Sequence, residues 1–263
     1  MERHEILDHL YRRDFGDTAY ERDVLASLPP LLASVKTFVD VGACLGTYTC
    51  LANAHLQGGR IVAIEADPVR FDELKRNCER WQTGSSNTLV AVHAALANAD
   101  GRIGFWTTNS PVDGGIFRPD ISYVGDDLKG TVRWEEVSVP CFTLDTLFKD
   151  GSPDLVKVDV EGSELRILHG STRILREGRT RFLLEIHDWP DPEGQQSGDD
   201  VVRFMNSFGY YGASVGGRLL FDKKRAHQIL LIRLGRRLRD SARRYLPRHV
   251  RRWLSRQLRR STR

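Results

Sequence analysis

Lys36-Thr37-Phe38-Val39-Asp40-Val41-Gly42-Ala43-Cys44-Leu45-Gly46-Thr47-Tyr48-Thr49 is the stretch on which the fold is decided. Phe38, Val39 and Val41 form an apolar run that reads as a buried strand and breaks abruptly at glycine. Tyr48, Leu51, Ala52 and His55 then recur at helical steps. A strand that hands over to a helix through a Gly-rich turn is how open α/β sheets bind nucleotide-like ligands. The ligand lies beyond the carboxyl ends of the strands, where glycine admits close backbone approach.

Outward from this turn, the first helix is expected to end near Leu56, at Gly58-Gly59, and a second strand covers Arg60 to Ala66. Pro68 opens the next helix, with Phe71, Leu74, Lys75 and Cys78 as its inner stripe. Thr88–Ala97 reads as a third strand, and Arg102–Thr108 returns after the Asn98–Gly101 turn as an antiparallel extension. Asn109–Gly130 is a long loop rich in Gly, Pro, Asp and Ser. Thr131–Cys141 is extended, and Thr143 caps a short helical turn. A clear strand at Asp154–Val160 precedes a helix over Glu164–Arg176, a strand over Arg181–Ile186 and a helix over Val201–Phe208. Final strands are expected at Tyr211–Val215 and His227–Arg233. Before the organising turn, residues 1–33 read as a peripheral helical extension closed by Pro29-Pro30.

The 263 residues, 40% hydrophobic, suffice for one α/β domain, assigned to 34–234, with a separate tail at 235–263. Met1–Phe15 has no apolar core of a secretory signal, and no run approaches the roughly 20 apolar residues that span a bilayer. Cys44, Cys50, Cys78 and Cys141 have neither C-x-x-C nor zinc spacing, so a reduced, cytoplasmic compartment is expected. The net charge of +4 conceals two halves. Arg233–Arg263 holds thirteen arginines against Asp240 alone, which leaves 26 basic and 34 acidic residues in the body.

Gly42-Ala43-Cys44-Leu45-Gly46 is G-x-x-x-G, not the dinucleotide pattern G-x-G-x-x-G, and alone it also fits an ordinary turn. Asp40 is a carboxylate in an apolar run and needs a partner. Glu65 ends the next strand nineteen residues beyond Gly46, where an acid can accept from both ribose hydroxyls. No lysine follows Gly46, which excludes a P-loop. A cofactor with an amino-acid end and a ribose suits this turn better than one with phosphates.

The second constellation is Asp154-Leu155-Val156-Lys157-Val158-Asp159-Val160-Glu161-Gly162-Ser163-Glu164. On a strand, Lys157, Asp159 and Glu161 share one face, where three ionisable groups must pair or face a site. One reading is a structural Lys157–Asp159 ion pair with Glu161 solvated; the other sets Asp159 and Glu161 at the mouth of a reactive site. Glu185-Ile186-His187 ends the neighbouring strand with a further acid and a histidine suited to act as a base or substrate ligand. Asp159, Glu161, Glu185 and His187 also have the donor chemistry for a divalent metal ion, although no residue is assigned as a metal ligand.

Val39-Asp40-Val41-Gly42-Ala43, Gly46-Thr47-Tyr48-Thr49, Ile64-Glu65-Ala66-Asp67-Pro68 and, above all, Asp154–Glu164 resemble the FkbM-type S-adenosylmethionine-dependent methyltransferases. The resemblance runs from about Tyr20 to His187 and more weakly to Arg233. It implies a class I, Rossmann-like α/β fold: about seven strands, mostly parallel with an antiparallel last strand, and helices on both faces. It also implies S-adenosyl-L-methionine as cofactor and O-methylation of a hydroxyl on a small-molecule, glycan or glycolipid acceptor. Carried over by motif, Asp40, Gly42, Ala43 and Gly46 line the methionine end. Glu65 takes the ribose, Ala66 and Asp67 flank the adenine, and Asp159 and Glu161 face the methyl and the acceptor. Family members often have Asn where Cys44 stands. Glu161 and His187 are the candidates for the base that a poorly nucleophilic hydroxyl needs.

In the tail, Leu234, Leu238, Ala242 and Tyr245, and then Val250, Trp253, Leu254 and Leu258, fall at helical spacing among the arginines. Such basic amphipathic segments favour an anionic membrane surface. A solvated cationic tail is the plainer reading, and nucleic acid is disfavoured by the acidic body. Two rivals to an enzyme of this family remain. One is a non-catalytic scaffold whose tail is the working part; the other is a NAD-dependent enzyme, disfavoured by the glycine spacing.

Overall fold

A computed structural model describes residues 19–108, 134–187, 197–215 and 217–223. Ten strands and seven helices follow one another in these residues. The first half of the chain runs α1 (Ala19–Leu32), β1 (Thr37–Val41), α2 (Thr47–His55), β2 (Arg60–Glu65), α3 (Pro68–Gln82) and β3 (Thr88–His93). Then come β4 (Ala95–Leu96), β5 (Gly101–Thr108), β6 (Trp134–Phe142), α4 (Leu144–Leu147), β7 (Leu155–Val158), α5 (Glu164–His169) and α6 (Thr172–Glu177). The last elements are β8 (Arg181–Leu184), α7 (Gly198–Ser207), β9 (Tyr211–Val215) and β10 (Arg218–Asp222).

The main sheet has seven strands in the order β3-β2-β1-β7-β8-β10-β9. The first five run parallel, and β10 is antiparallel to both β8 and β9. This is the expected Rossmann-like sheet with its reversed last strand. Its switch point lies between β1 and β7, where the chain order reverses and open sheets hold their ligands.

Strand alternation sorts the core into two faces. Val39, Val41, Val156 and Val158 pack with Ile167, Ile174, Val201 and Met205 of α5, α6 and α7. Phe38 and Leu155 point the other way, against Leu28 and Leu32 of α1 and Tyr48 and Leu51 of α2. Asp40 and Lys157 lie directly opposite one another in the β1–β7 register. By the same alternation both belong to the face covered by α1 and α2, and this places a carboxylate against an ammonium under Tyr48.

Several boundaries differ from the sequence reading. Helix α1 passes through Pro29-Pro30 instead of closing there. Leu28 and Leu32 are 0% and 1% exposed. Burying each contributes about 1.5–3 kcal/mol, enough to offset the amide hydrogen bonds that the prolines cannot make. The end of this helix is therefore part of the core. The expected third strand breaks after His93, and Ala95-Leu96 joins β5 and β6 in a separate three-stranded sheet. The expected helix over Glu164–Arg176 splits into α5 and α6 at Gly170. There a Cβ would stand 2.0 Å from the Ala97 carbonyl oxygen. The last described strand is Arg218–Asp222, and the strand expected at His227–Arg233, the long loop at 109–130 and the basic tail fall outside the described residues.

Candidate active site

The turn after β1 works through backbone contacts. Gly42 adopts φ +70°, and a Cβ there would lie 1.9 Å from the Asp159 carbonyl oxygen. Only glycine lets the ends of β1 and β7 meet this closely. The Gly42 and Ala43 amides both donate to the Ile64 carbonyl at 3.0 Å, which fastens the turn to β2. Cys44 follows in the left-handed region at φ 50°, and Gly46, at φ 97°, starts α2. Asn tolerates the left-handed region better than most residues.

Glu65, the last residue of β2, is 7% exposed. Its Oε2 accepts from the Cys44 amide and its Oε1 from the Asp67 amide, each at 2.8 Å. Burial pushes this carboxyl above its ordinary range, against the two amides that favour the ionised form. Each oxygen retains a further lone pair for a ligand hydroxyl. Asp67 is committed differently, as the N-cap of α3. Its carboxylate accepts from the Val69 and Arg70 amides, the Arg70 guanidinium and the Thr107 hydroxyl. Ala66 lies between these two acids.

Asp40 is fully buried. Its Oδ2 accepts from the Thr49 hydroxyl at 2.8 Å, and its Oδ1 faces Lys157 Nζ at 3.3 Å. Lys157 Nζ also donates to the Gly42 carbonyl at 3.0 Å and lies 3.5 Å from Asp159 Oδ2. Asp40 thus braces the glycine turn through Lys157. Burial works to lower the Lys157 ammonium, but the carboxylates of Asp40 and Asp159 prevail and hold it above its ordinary value. The ion-pair reading of Lys157 and Asp159 is realised, with Asp40 as a second anion.

Strand β7 ends at Val158, so Asp159 and Glu161 do not alternate along a strand as expected. They stand on the following turn, where Glu161 takes φ 53° ahead of Gly162 at φ 96°. Glu185 and His187 extend from the end of β8. Because β10 runs in reverse, its first residue, Arg218, arrives at this same end of the sheet. Arg218 is 1% exposed, and its Nη2 binds Asp159 Oδ2 at 3.1 Å and also Glu185 Oε2. Its guanidinium lies 5.3 Å from the Tyr48 ring centre, and Lys157 Nζ lies 4.7 Å from the same ring.

Burial would raise Asp159, but Lys157 and Arg218 hold it down to about 2. Burial and the Asp159 charge instead push Glu185 up to about 7, so it takes up a proton near neutral pH while Asp159 stays ionised. His187 Nδ1 is 2.8 Å from Glu164 Oε1, and Nε2 is 3.6 Å from Glu161 Oε2. Burial opposes its charge, but Glu164, Glu161 and Asp159 overcome this and raise the imidazole to about 9.

Among the described residues, Asp159, Glu161 and His187 each offer one ligand atom within 4.8 Å of the others. They nevertheless fit a resident divalent ion poorly. Asp159 is already compensated by two protein cations, Lys157 and Arg218, and an ion would have to displace the proton that the neighbouring carboxylates favour on His187.

The geometry joins the sequence-derived residues into two neighbouring groups. Gly42, Ala43, Gly46, Glu65, Ala66 and Asp67 surround the β1–α2 turn and the end of β2, with Asp40 beneath, while Asp159, Glu161 and His187 converge at the β7–β8 mouth. Sequence reasoning did not single out Arg218, Glu164 or Tyr48. An arginine opening the apolar run Leu219-Leu220-Phe221 was a usable signal, since such a charge needs a buried partner.

The methyltransferase FkbM domain family matches residues 40–211, which include both groups. The chain belongs to this family. It is 27% identical over 193 residues to the hexuronic acid methyltransferase AglP of Haloferax volcanii, covering 72% of this chain and 70% of that protein. Among solved structures, it is similar to a methyltransferase FkbM from Methylobacillus flagellatus KT, with 18% identity and a TM-score of 0.49. That match covers 71% of this chain but only 43% of the other. An O-methyltransferase from Bacillus cereus in complex with SAH aligns with 13% identity and a TM-score of 0.42, over 84% and 89% of the two chains.

Proposed function

We propose that this chain transfers the methyl group of S-adenosylmethionine to a hydroxyl of a sugar-containing acceptor: a glycan, a glycolipid or a glycosylated small molecule. The observation that carries the proposal is Glu65. A buried carboxylate held by two amides at the end of β2, beside a lysine-free glycine turn, suits the two hydroxyls of a ribose. Gly42, Ala43 and Gly46 form the backbone wall for the methionine end, and Asp40 stabilises that wall from below. Ala66 and the backbone of Asp67 flank the adenine, the Asp67 carboxylate being committed to α3.

Charge supports the same cofactor. Among the described residues, Asp40, Asp159, Glu161, Glu164 and Glu185 surround three cations, Lys157, Arg218 and His187. Such an acidic surplus suits a cationic sulfonium and opposes a pyrophosphate. When bound, the cofactor supplies a methyl already activated for attack by its positive sulfur. The protein has to align the acceptor oxygen, exclude water and remove a proton. Asp159 and Glu161 stand where they can orient acceptor hydroxyls, and His187 lies within reach of the same space.

The relative from Haloferax volcanii is named for a hexuronic acid, which favours a sugar acceptor over an aromatic one. No described helix is long and apolar enough to cross a membrane. The arginine-rich segment from Arg233 is proposed to bring the catalytic body to an anionic membrane surface, where a lipid-linked acceptor would lie. Incubating the full chain with trideuteriomethyl-labelled S-adenosylmethionine and glycan or glycolipid extracts tests the acceptor class. Deuterated methyl ethers on sugar hydroxyls are expected. Label found only on protein, nucleic acid or aromatic metabolites would overturn the assignment.

A further inference from the structure

The Glu164 carboxylate is 0% exposed, yet it belongs to a surface helix and faces away from bulk water. Its Oε1 accepts from the Gly162 amide at 3.2 Å and meets His187 Nδ1 at 2.8 Å. An ionised carboxylate can only accept, so the imidazole proton on this side must reside on Nδ1. The opposite nitrogen, Nε2, then points to Glu161 and the strand mouth. A buried acid behind a histidine whose other nitrogen faces the reaction space is the arrangement that orients a general base.

We propose that Glu164 is a positioning residue for His187: it fixes Nδ1 as the protonated nitrogen and presents Nε2 to receive the acceptor's hydroxyl proton. The inference rests on the methyltransferase reading above and decides between the two candidate bases in favour of His187. Glu161, 31% exposed on a left-handed turn, lies across from Nε2 and orients the acceptor instead. In the balanced step, the acceptor oxygen bonds to the methyl carbon as the carbon–sulfur bond breaks. The electron pair of that bond stays on sulfur as a thioether, and the hydroxyl proton moves to Nε2 and then to solvent.

In the resting protein His187 is charged and cannot yet act as a base. Among the described residues, the groups facing it are Asp159 and Glu161 after β7, Glu164 on α5, Glu185 after β8 and, beyond the shared carboxylates, Arg218 on β10. Most are anionic, so the imidazolium persists until a second positive charge comes beside it. A sulfonium does this, and a thioether of the same shape does not. A methyl donor beside His187 therefore favours loss of its proton.

The test is nitrogen-15 NMR of histidine-labelled full-length protein, with His187→Gln used to assign the resonance. Above its titration midpoint, neutral His187 is expected to carry hydrogen on Nδ1 and none on Nε2. The Glu164→Gln variant should lower the midpoint by about one pH unit or more. Saturation of unmodified protein with S-adenosylmethionine should lower it relative to saturation with S-adenosylhomocysteine. A neutral Nε2–H form, or an unmoved midpoint in folded Glu164→Gln, would overturn the positioning role. Equal midpoints with the two ligands would overturn the role of His187 as base. The absence of any binding of S-adenosylmethionine would instead defeat the functional reading and leave the Glu164–His187 geometry intact. The tautomer measurement does not use Glu164→Gln, so it stands even if that variant fails to fold.

Discussion

Replacing Arg218 by Met removes the cation that joins the last strand to the site while keeping a long, space-filling side chain. Arg218 is 1% exposed and binds both Asp159 and Glu185, so its loss leaves two carboxylates facing one another. Breaking a buried pair on one side costs about 3–5 kcal/mol. The side chains of Asp159 and Glu185 remain 17% and 19% exposed, which places the expected loss near the low end, about 3 kcal/mol at pH 8. The pH dependence sharpens the expectation. Glu185 is held up to about 7 from an unfolded value of 4.5, so between these values the native state binds more protons than the unfolded chain. Stability from this group is therefore present below the lower value and lost as pH rises through the upper one. Arg218 restrains that rise, and without it the Glu185 carboxyl moves higher still. At pH 5 Glu185 is neutral in both proteins and Lys157 still faces Asp159, so the loss should shrink to about half. Urea titrations followed by tryptophan fluorescence at pH 5 and pH 8 measure both numbers. Equal losses at the two pH values, or a loss below about 1 kcal/mol at pH 8, would refute the assignment of Arg218 as the counter-charge to this pair.

Gly42→Ala must move either the β1 turn or the Asp159 carbonyl, and it should cost about 2–4 kcal/mol in the same titration; a neutral effect would contradict the close β1–β7 contact. Cys44→Asn, by contrast, relieves a left-handed residue at φ 50° and should add about 0.5–1 kcal/mol, seen as a melting point raised by a few degrees. Liposomes containing anionic lipid should recover the full chain but not a chain ending at Arg233, and the difference should disappear in high salt. Equal recovery of both chains would remove the membrane role of the tail.

Local chemistry made the glycine-turn half of the candidate site legible. Phe38 to Val41 is continuously buried because the strand is covered on both faces, and the glycines after it announce a turn that side chains would block. Glu65 was readable for a similar reason: an acid ending an apolar strand has few other uses. The half at the β7–β8 mouth depends on contacts distant in sequence. Gly170 divides a helix because of the Ala97 carbonyl, which no local pattern reveals. Glu164 and His187 are 23 residues apart and meet only once β8 is laid beside β7. The strand expected at His227–Arg233 lies outside the described residues, whereas the strand at Arg218–Asp222 was not anticipated. Pairing with β8 and the burial of Leu220 and Phe221 form it and bring Arg218 to the site.

The central claim is that the Gly42–Gly46 turn and Glu65 hold S-adenosylmethionine, and titration calorimetry tests it most directly. The full-length protein should bind S-adenosylmethionine and S-adenosylhomocysteine but not NAD. Glu65→Ala should weaken both interactions by tenfold or more, the equivalent of about 1.5–3 kcal/mol for hydrogen bonds to a charged group. Binding of NAD in preference to S-adenosylmethionine, or an unchanged affinity in folded Glu65→Ala, would contradict it.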